Sequence, residues 1–299
     1  MSQQQYSYGG QAVIEGVMIR GQRVYSIAAR RPDGEICTVI HPVPNWGGAH
    51  WRKVPLVRGA LVLLETLVVG MRALTYSAQV AAGEEADEQP IPRWSIALML
   101  LVSAGIAIGL FFVAPVVLVS TGVDRFTDSA IISNLAEGVL RLALFLGYLI
   151  VVGFMPSIRR VYAYHAAEHM TVHAHEARLP LDTANVRRFP AAHPRCGTAF
   201  LLTVMLVSIV VFALLGKPDL PWRLASRILL LPFIAGVSYE VIRFSGAHRT
   251  NFFVKLIMAP SLLLQKLTTR PPDDDQIEVA ISAMGVAISG DEATREAIG

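Results

Sequence analysis

The chain has 299 residues, of which 53% are hydrophobic and 16% are charged, and its formal net charge is +3. Ordinary soluble domains carry about 25% charged residues, so this composition argues against a soluble protein. It also argues against a nucleic-acid partner, because the arginines flank apolar runs and form no basic patch interleaved with aromatic residues. The two cysteines, Cys37 and Cys196, are too few for a disulfide framework and indicate a reducing compartment.

Residues 1–54 predict a small antiparallel β subdomain. The runs 11–20, 23–30 and 36–40 are β-prone, and residues 31–35 form the turn before the last run. The glycines of this region do not have the spacing of a phosphate-binding loop, so they are interpreted as turn and bulge positions: Gly9, Gly10, Gly16 and Gly21.

Residues 55–92 predict an interfacial or re-entrant helix followed by an acidic linker. Within 56–76, Arg58, Glu65 and Arg72 recur every seven positions, which places them on one narrow polar stripe. The apolar part of about 13 residues is shorter than the roughly 20 residues that cross a bilayer. The alternative is that this helix does cross, which would place the N-terminal subdomain on the outer side.

Four later windows are apolar and long enough to cross a membrane: 95–121, 134–155, 198–216 and 223–244. They predict an α-helical integral membrane protein with a four-span domain at 93–251. The N-terminus shows no cleavable signal peptide, so the first span is expected to target the chain. Arg141 lies deep in the second span and is expected to face other helices or to snorkel.

The distribution of arginines predicts the orientation. The loop 156–197 is rich in arginine, whereas the linkers 120–134 and 217–222 contain few basic residues. The positive-inside rule places the arginine-rich loop in the cytoplasm. Four crossings then place both termini there too, with the protein in the plasma (inner) membrane. Residues 252–299 predict a second interfacial helix and a soluble tail, in which three aspartates at 273–275 cap a helix.

A cluster of metal-ligating residue types directly follows the second span. His165 and His169 lie one helical turn apart on one face, which suits two imidazoles that share a tetrahedral ion. With Glu168 they form His-x-x-Glu-His, the inverted zinc-protease motif, in which the glutamate deprotonates the attacking water. Glu176 is too far along the helix to reach an ion held by His165, and could complete a site only with His169 or His173.

Four further candidate residues are expected at the same membrane face as His165 and His169. His193, Arg195 and Cys196 directly precede the third span, and Glu240 lies at the cytoplasmic end of the fourth. The histidine pair and one of His193, Cys196 or Glu240 are expected to hold a divalent metal, zinc. Arg195 is a catalytic candidate, with contact to a phospholipid head group as its alternative. The simpler alternatives are that juxtamembrane histidines are solvated and that Cys196 is a small buried apolar residue.

These residues resemble the YqhQ family of bacterial membrane proteins over most of the chain. The resemblance is carried by residues 9–18, by His165 with Glu168 and His169, and by residues 193–198, 238–240 and 276–280. It implies a multispan membrane protein with a metal site, and members are described as predicted metal-dependent enzymes. It also implies that the N-terminal sheet, with Glu15, covers the cytoplasmic site. His173 and His175 are not part of the family pattern and are discounted.

Three functions follow as alternatives. The leading interpretation is a zinc-dependent membrane enzyme, hydrolytic, in which Glu168 handles the proton and the substrate is a lipid or a membrane-tethered peptide. The second is a non-catalytic scaffold or assembly factor with a closed structural zinc site, because sequence does not count coordination positions. The third is a transporter, for which Pro115 and Pro232 inside spans are the only signal, since the ionisable residues gather at helix ends.

Overall fold

The computed structural model describes residues 8–46, 51–83, 93–193, 196–248 and 251–297. The predicted acidic linker at 84–92 lies outside them. The described chain is mainly helical, with one four-stranded antiparallel sheet near its start, so the predicted small sheet is confirmed. The strands pair in the order β1-β2-β3-β4, and their bounds are Gly9–Val13, Gly16–Arg20, Val24–Arg30 and Ile36–Pro42.

A two-residue turn divides the first predicted β-run. The sequence predicts one run over 11–20, whereas Val13 pairs with Gly16 and the chain reverses at Ile14 and Glu15. Glu15 has a φ of 49°, in the left-handed region that non-glycine residues rarely adopt. The turn contains no Asn-Gly or Asp-Gly pair, so the sequence pattern did not reveal it.

The described helices are labelled α1 to α11 in chain order. Their bounds are Val57–Ala82, Arg93–Ile108, Ala114–Thr121, Ala130–Val152, Pro156–Glu176, Thr183–Val186, Gly197–Leu214, Leu220–Leu229, Leu231–Ala247, Phe252–Thr268 and Asp274–Glu296. A π-helical turn, Gly109–Val113, joins α2 to α3, and a 3-10 turn, Val123–Arg125, follows α3.

Three stretches of the described helices are long and apolar enough to cross a membrane: Ala97–Arg125, Ala130–Val152 and Gly197–Leu214. A fourth consists of α8 and α9, which meet at 47° and have the shape of a broken span or a re-entrant loop. Pro232 lies in the first turn of α9, where its missing N–H is tolerated. All four predicted apolar windows overlap these stretches. The interfacial position of α1 stays a prediction.

The sheet is buried on both faces, and the alternation of its side chains decides which helix each one meets. Tyr25 and Ile27 of β3 form one core with Val69 and Ala73 of α1. Ala28 points the other way, into a core built with α5 and α11. The sheet therefore holds α1 on one face and the histidine-bearing helix α5 on the other.

Helix α11 begins as predicted and packs on the sheet. Asp273 accepts from the backbone N–H of Gln276, and the Gln276 side chain accepts from the backbone N–H of Asp273, which is a capping box. Ser26 of β3 donates to the carbonyl oxygen of Ala283 at 2.6 Å. Strand β3 and helix α11, which are far apart in the chain, thus pack against each other, although the sequence predicted them in separate domains.

A buried ionic network joins the apolar helix α4 to α8. Glu137 is 1% exposed and lies 2.5 Å from Arg141, 3.1 Å from Arg223 and 2.8 Å from Arg227. Arg227 is fully buried and also donates to Asn134 at 2.7 Å. Buried charges are costly unless they are paired and hydrogen-bonded. The network therefore determines how α8 packs against α4.

Arg141 faces neighbouring helices, as the sequence predicted. Its Nε atom donates to the carbonyl oxygen of Phe111 at 2.9 Å, and Phe111 lies in the π-helical turn. Such a turn interrupts the regular i to i−4 ladder, so a side chain can bond to a carbonyl there. The guanidinium also lies 5.3 Å from the ring centre of Phe212 on α7. Arg141 thus connects α4 to two other apolar stretches.

Candidate metal centre

The histidine-rich helix starts where an apolar helix stops. Helix α4 ends at Val152 and α5 begins at Pro156, a residue well suited to the first helical turn. Helix α7, which is also apolar, begins at Gly197, and Cys196 is its N-cap. Chain connectivity therefore brings α5 and Cys196 to the same end of the apolar helices, as expected.

Three potential metal ligands meet in a first ligand group, formed by His165, His169 and Cys196. One ligand atom from each residue lies within 4.8 Å of the other two. His165 Nε2 is 3.1 Å from Cys196 Sγ, and the rings of the two histidines are 4.4 Å apart. The sequence predicted the histidine pair and offered Cys196 as one of three choices for the third ligand. The structure brings Cys196 to the pair.

Backbone carbonyl groups fix the tautomers of both rings. His165 Nδ1 lies 2.8 Å from the oxygen of Thr268, and His169 Nδ1 lies 2.6 Å from the oxygen of Ala191. A carbonyl oxygen only accepts, so each Nδ1 carries the hydrogen and each Nε2 keeps its lone pair. Outer hydrogen bonds of this kind orient metal-binding histidines. His169 Nε2 is buried and has no hydrogen-bond partner in the described part of the chain, so the residues fit a metal ion.

Glu168 is buried beside the first ligand group. It is 3% exposed, and its Oε2 atom is 3.4 Å from His169 Nε2. Strand β1 covers it, because the Gly10 amide donates to the carboxylate and a Cβ at Gly10 would lie 2.9 Å from Glu168 Cγ. Burial raises the pKa of Glu168 to about 7, while nearby His165 and the Gly10 amide lower it. The carboxyl group can therefore exchange a proton near neutral pH.

A second ligand group consists of His173, Glu176 and His193, with one ligand atom from each within 4.8 Å of the others. The sequence proposed Glu176 and His193 as ligands but discounted His173. The structure brings His173 to them, an arrangement that the helical spacing of Glu176 allowed. A repeat in the sequence carries this signal, since His173-x-x-Glu176 follows His165-x-x-Glu168 after eight residues.

Helix α10, predicted as an interfacial helix, supports both ligand groups. Gln265 is fully buried, accepts from the backbone N–H of His193 at 2.7 Å and donates to the His193 carbonyl at 2.9 Å. The same helix ends at Thr268, whose carbonyl oxygen accepts from His165. The sequence pattern reveals neither supporting residue, because neither carries a metal-ligating side chain.

The turn between β1 and β2 also contacts α5. Glu15 accepts from Arg160 Nε at 2.6 Å, from Arg160 Nη2 at 2.5 Å and from the Tyr164 hydroxyl at 3.3 Å. The hydrogen bond to Glu15 raises the pKa of Arg160 above its usual value. These contacts hold Glu15 in its left-handed conformation. The sheet therefore covers the histidine-bearing helix from two points, at Gly10 and at Glu15.

Two predicted site residues are not part of this arrangement. Glu240 of α9 pairs with Arg58 of α1 and belongs to neither ligand group among the described residues. Two glycines allow the close crossing of these helices, since a Cβ at Gly59 would lie 3.0 Å from the Cα of Gly236. The guanidinium of Arg58 thus engages the carboxylate that the sequence offered to the metal. The other residue, Arg195, lies outside the described residues.

Comparison with known proteins identifies the family. The family described as Protein of unknown function (DUF1385) matches residues 54–289. The protein named Uncharacterized protein YqhQ, from Bacillus subtilis (strain 168), is 34% identical over 288 residues, which cover 93% of this chain and 91% of that protein. No solved structure matches the chain. The chain therefore belongs to the DUF1385 family, and its resemblance to YqhQ is confirmed.

Proposed function

We propose that this protein is a metal-dependent membrane enzyme, hydrolytic, which acts at the membrane interface on a lipid or a membrane-tethered peptide. The observation that carries the proposal is the first ligand group, in which ligand atoms of His165, His169 and Cys196 come together beside the buried carboxyl group of Glu168. Three protein ligands leave one position of a tetrahedral ion open to water or substrate, as in catalytic zinc sites.

The side chains of the first ligand group fit zinc better than magnesium or calcium. Imidazole and thiolate ligands suit zinc, whereas magnesium and calcium take oxygen ligands. His165, His169 and Cys196 would hold the ion. A bound zinc ion supplies Lewis acidity, which lowers the pKa of a water molecule toward about 7.

Glu168 is the proton-transfer group in this proposal. Its Oε2 atom lies next to His169 Nε2, so the carboxyl group borders the space that the three ligand atoms surround. As a carboxylate it accepts a proton from the attacking nucleophile, and as an acid it returns that proton to the leaving group. The Gly10 amide, which donates to this carboxylate, holds it in position.

The apolar surface of the helices supports a membrane location. None of residues 97–114 is buried, and Leu101 is 72% exposed there. Leu214, at the end of α7, is 84% exposed. Lipid accommodates such a surface, whereas water does not. Because both ligand groups lie where apolar helices end, a lipid or a membrane-tethered substrate would reach them from the interface.

The ligand groups and both termini lie on the cytoplasmic side in this proposal, because arginine is concentrated in 156–197. A membrane-impermeant maleimide is therefore expected to label Thr127→Cys and Asp219→Cys on intact cells. Asn185→Cys should react only after the cells are opened. The unsubstituted chain, with its two natural cysteines, measures the background. Labelling of Asn185→Cys on intact cells would contradict the proposed orientation.

Replacing either histidine of the first ligand group should release its metal. His165→Ala and His169→Ala each remove one ligand of a three-ligand site, so zinc content is expected to fall by about one ion per chain. Elemental analysis of the purified variants beside wild type measures this. The control is His248→Ala, whose ring stacks on Phe244 at the end of α9 and which should keep the wild-type content. Equal zinc content in wild type and His169→Ala would contradict the proposed metal centre.

One observation favours a second candidate, a non-catalytic membrane scaffold that uses the same ligands as a structural metal site. Glu168, His169 and Cys196 are 3%, 2% and 8% exposed. Structural zinc sites are closed to water, and such burial is typical of them. The two candidates differ in what they require of Glu168, so the substitution Glu168→Gln separates them.

A further inference from the structure

We infer that the second ligand group, His173, Glu176 and His193, is a second divalent-metal site, separate from the first, which holds His193 beside Cys196. The inference deepens the proposed function, and the role of the second ion rests on the first metal centre. From sequence, His193 was a candidate for the first group and Glu176 for a site with His169 or His173, and the structure brings Glu176, His193 and His173 together.

The three side chains provide two nitrogen donors and one carboxylate. The rings of His173 and His193 are 4.4 Å apart, and Glu176 Oε2 is 3.7 Å from His193 Nε2. Two ligand atoms at about 2 Å from one tetrahedral zinc ion are about 3.3 Å apart, which is close to the 3.7 Å between Glu176 and His193. His173 Nε2 lies 3.0 Å from the carbonyl oxygen of Ala192, and a contact of this kind orients the ring, as backbone carbonyl groups orient metal-binding histidines. The second group therefore shows the same support by a backbone carbonyl as the first.

The two groups are too far apart along α5 to share a bridged pair of ions. His165 and His173 are eight residues apart, which is a rise of about 12 Å on a helix. Bridged metal pairs in hydrolytic enzymes are roughly 3.5–4 Å apart. The groups are nevertheless neighbours, since the rings of His169 and His193 are 5.8 Å apart. This spacing suits two separate ions whose ligand shells touch.

The second site acts on the first through the chain. His193 is three residues before Cys196, and Gln265 already bonds to both backbone groups of His193. An ion bound to the His193 side chain ties the same residue to α5. Because the His193 carbonyl oxygen also accepts from the backbone N–H of Cys196 at 3.3 Å, this restraint holds Cys196 in place. Losing the second ion is therefore expected to weaken metal binding at the first site by about 10–100-fold, as the loss of other supporting contacts does.

The test is the metal stoichiometry of the full-length protein, purified in detergent, stripped with a chelator and reloaded with zinc or cobalt(II). Cobalt distinguishes the sites, because only the first contains a thiolate and gives a sulfur-to-cobalt charge-transfer absorption. The expected result is two ions in wild type and one in His173→Ala and Glu176→Gln, at zinc concentrations that saturate the weakened first site. Both variants should keep the thiolate absorption. His165→Ala should bind one ion without that absorption.

Two controls keep the test decisive. His175→Ala changes a histidine of the same helix that contacts Tyr8 and belongs to neither group, so it should bind two ions. Glu176→Gln retains the side-chain volume and decides the result if His173→Ala does not fold. One ion in wild type, with thiolate absorption and with no loss in His173→Ala or Glu176→Gln, overturns the second site and leaves the proposed function intact. Absence of any bound ion in wild type overturns both.

Discussion

Glu168→Gln is expected to abolish the activity of the protein in cells while leaving its zinc content and its abundance unchanged. Glutamine keeps the volume and the hydrogen bonding of glutamate but cannot accept a proton at neutral pH. A lost general base lowers turnover on the order of 10²–10⁴-fold. Complementation of a deletion strain measures activity without a defined substrate, with elemental analysis and expression level determined alongside.

The matched control is Glu278→Gln, which changes a half-exposed glutamate that pairs with Arg30 and should complement fully. In the scaffold candidate Glu168 orients a ligating imidazole, and Glu168→Gln would then weaken metal binding by about 10–100-fold. The catalytic proposal is contradicted if the Glu168→Gln protein accumulates normally, holds its zinc and complements fully. That outcome would favour the scaffold candidate.

Glu137→Gln should strongly destabilise the packing of α4 against α8. The substitution removes the carboxylate that Arg141, Arg223 and Arg227 share, and all four side chains are less than 5% exposed. Breaking a buried ion pair by removing one partner costs about 3–5 kcal/mol. Thermal unfolding of the protein in detergent, followed as the fraction that stays monodisperse, should show a much lower midpoint.

Asp274→Asn provides the comparison for the buried network. It weakens the exposed ion pair between Asp274 and Arg187, and such pairs contribute about 1 kcal/mol or less. The double variant Glu137→Gln with Arg141→Gln should recover part of the loss, because one unpaired charge is removed as well. An unchanged midpoint for Glu137→Gln would show that the network does not stabilise the fold.

The sequence predicted the features that depend on neighbouring residues in the chain. The apolar windows were located because a membrane helix satisfies its own backbone hydrogen bonds, so its signal lies within about 20 consecutive residues. The capping box at Asp273 and Gln276 is equally local. The residues of two pairs are spaced four positions apart: Glu137 and Arg141 in the apolar helix α4, and Arg223 and Arg227 in α8. This spacing is a sequence signal for paired charges within one helix face.

The assignment of ligands to groups could not be predicted in the same way. Helical spacing fixes which residues of α5 are neighbours, but the approach of a distant segment depends on packing. The sequence therefore treated His193, Cys196 and Glu240 as equal choices. Packing separated them: Cys196 joins the first group, His193 joins the second, and Glu240 pairs with Arg58. Discounting His173 relied on the family pattern, although His173 repeats the relation of His165 to its glutamate.

The hydrogen bond between Ser26 and Ala283 joins residues that are 257 positions apart, and this sets an order of events during synthesis. The ribosome makes the sheet first, then every apolar helix, and only at the end helix α11, whose Asp291 accepts from the backbone N–H of Arg23. Contacts between such distant positions form late and slowly. The packing of α11 on the sheet is therefore expected to be completed only after the apolar helices have been made.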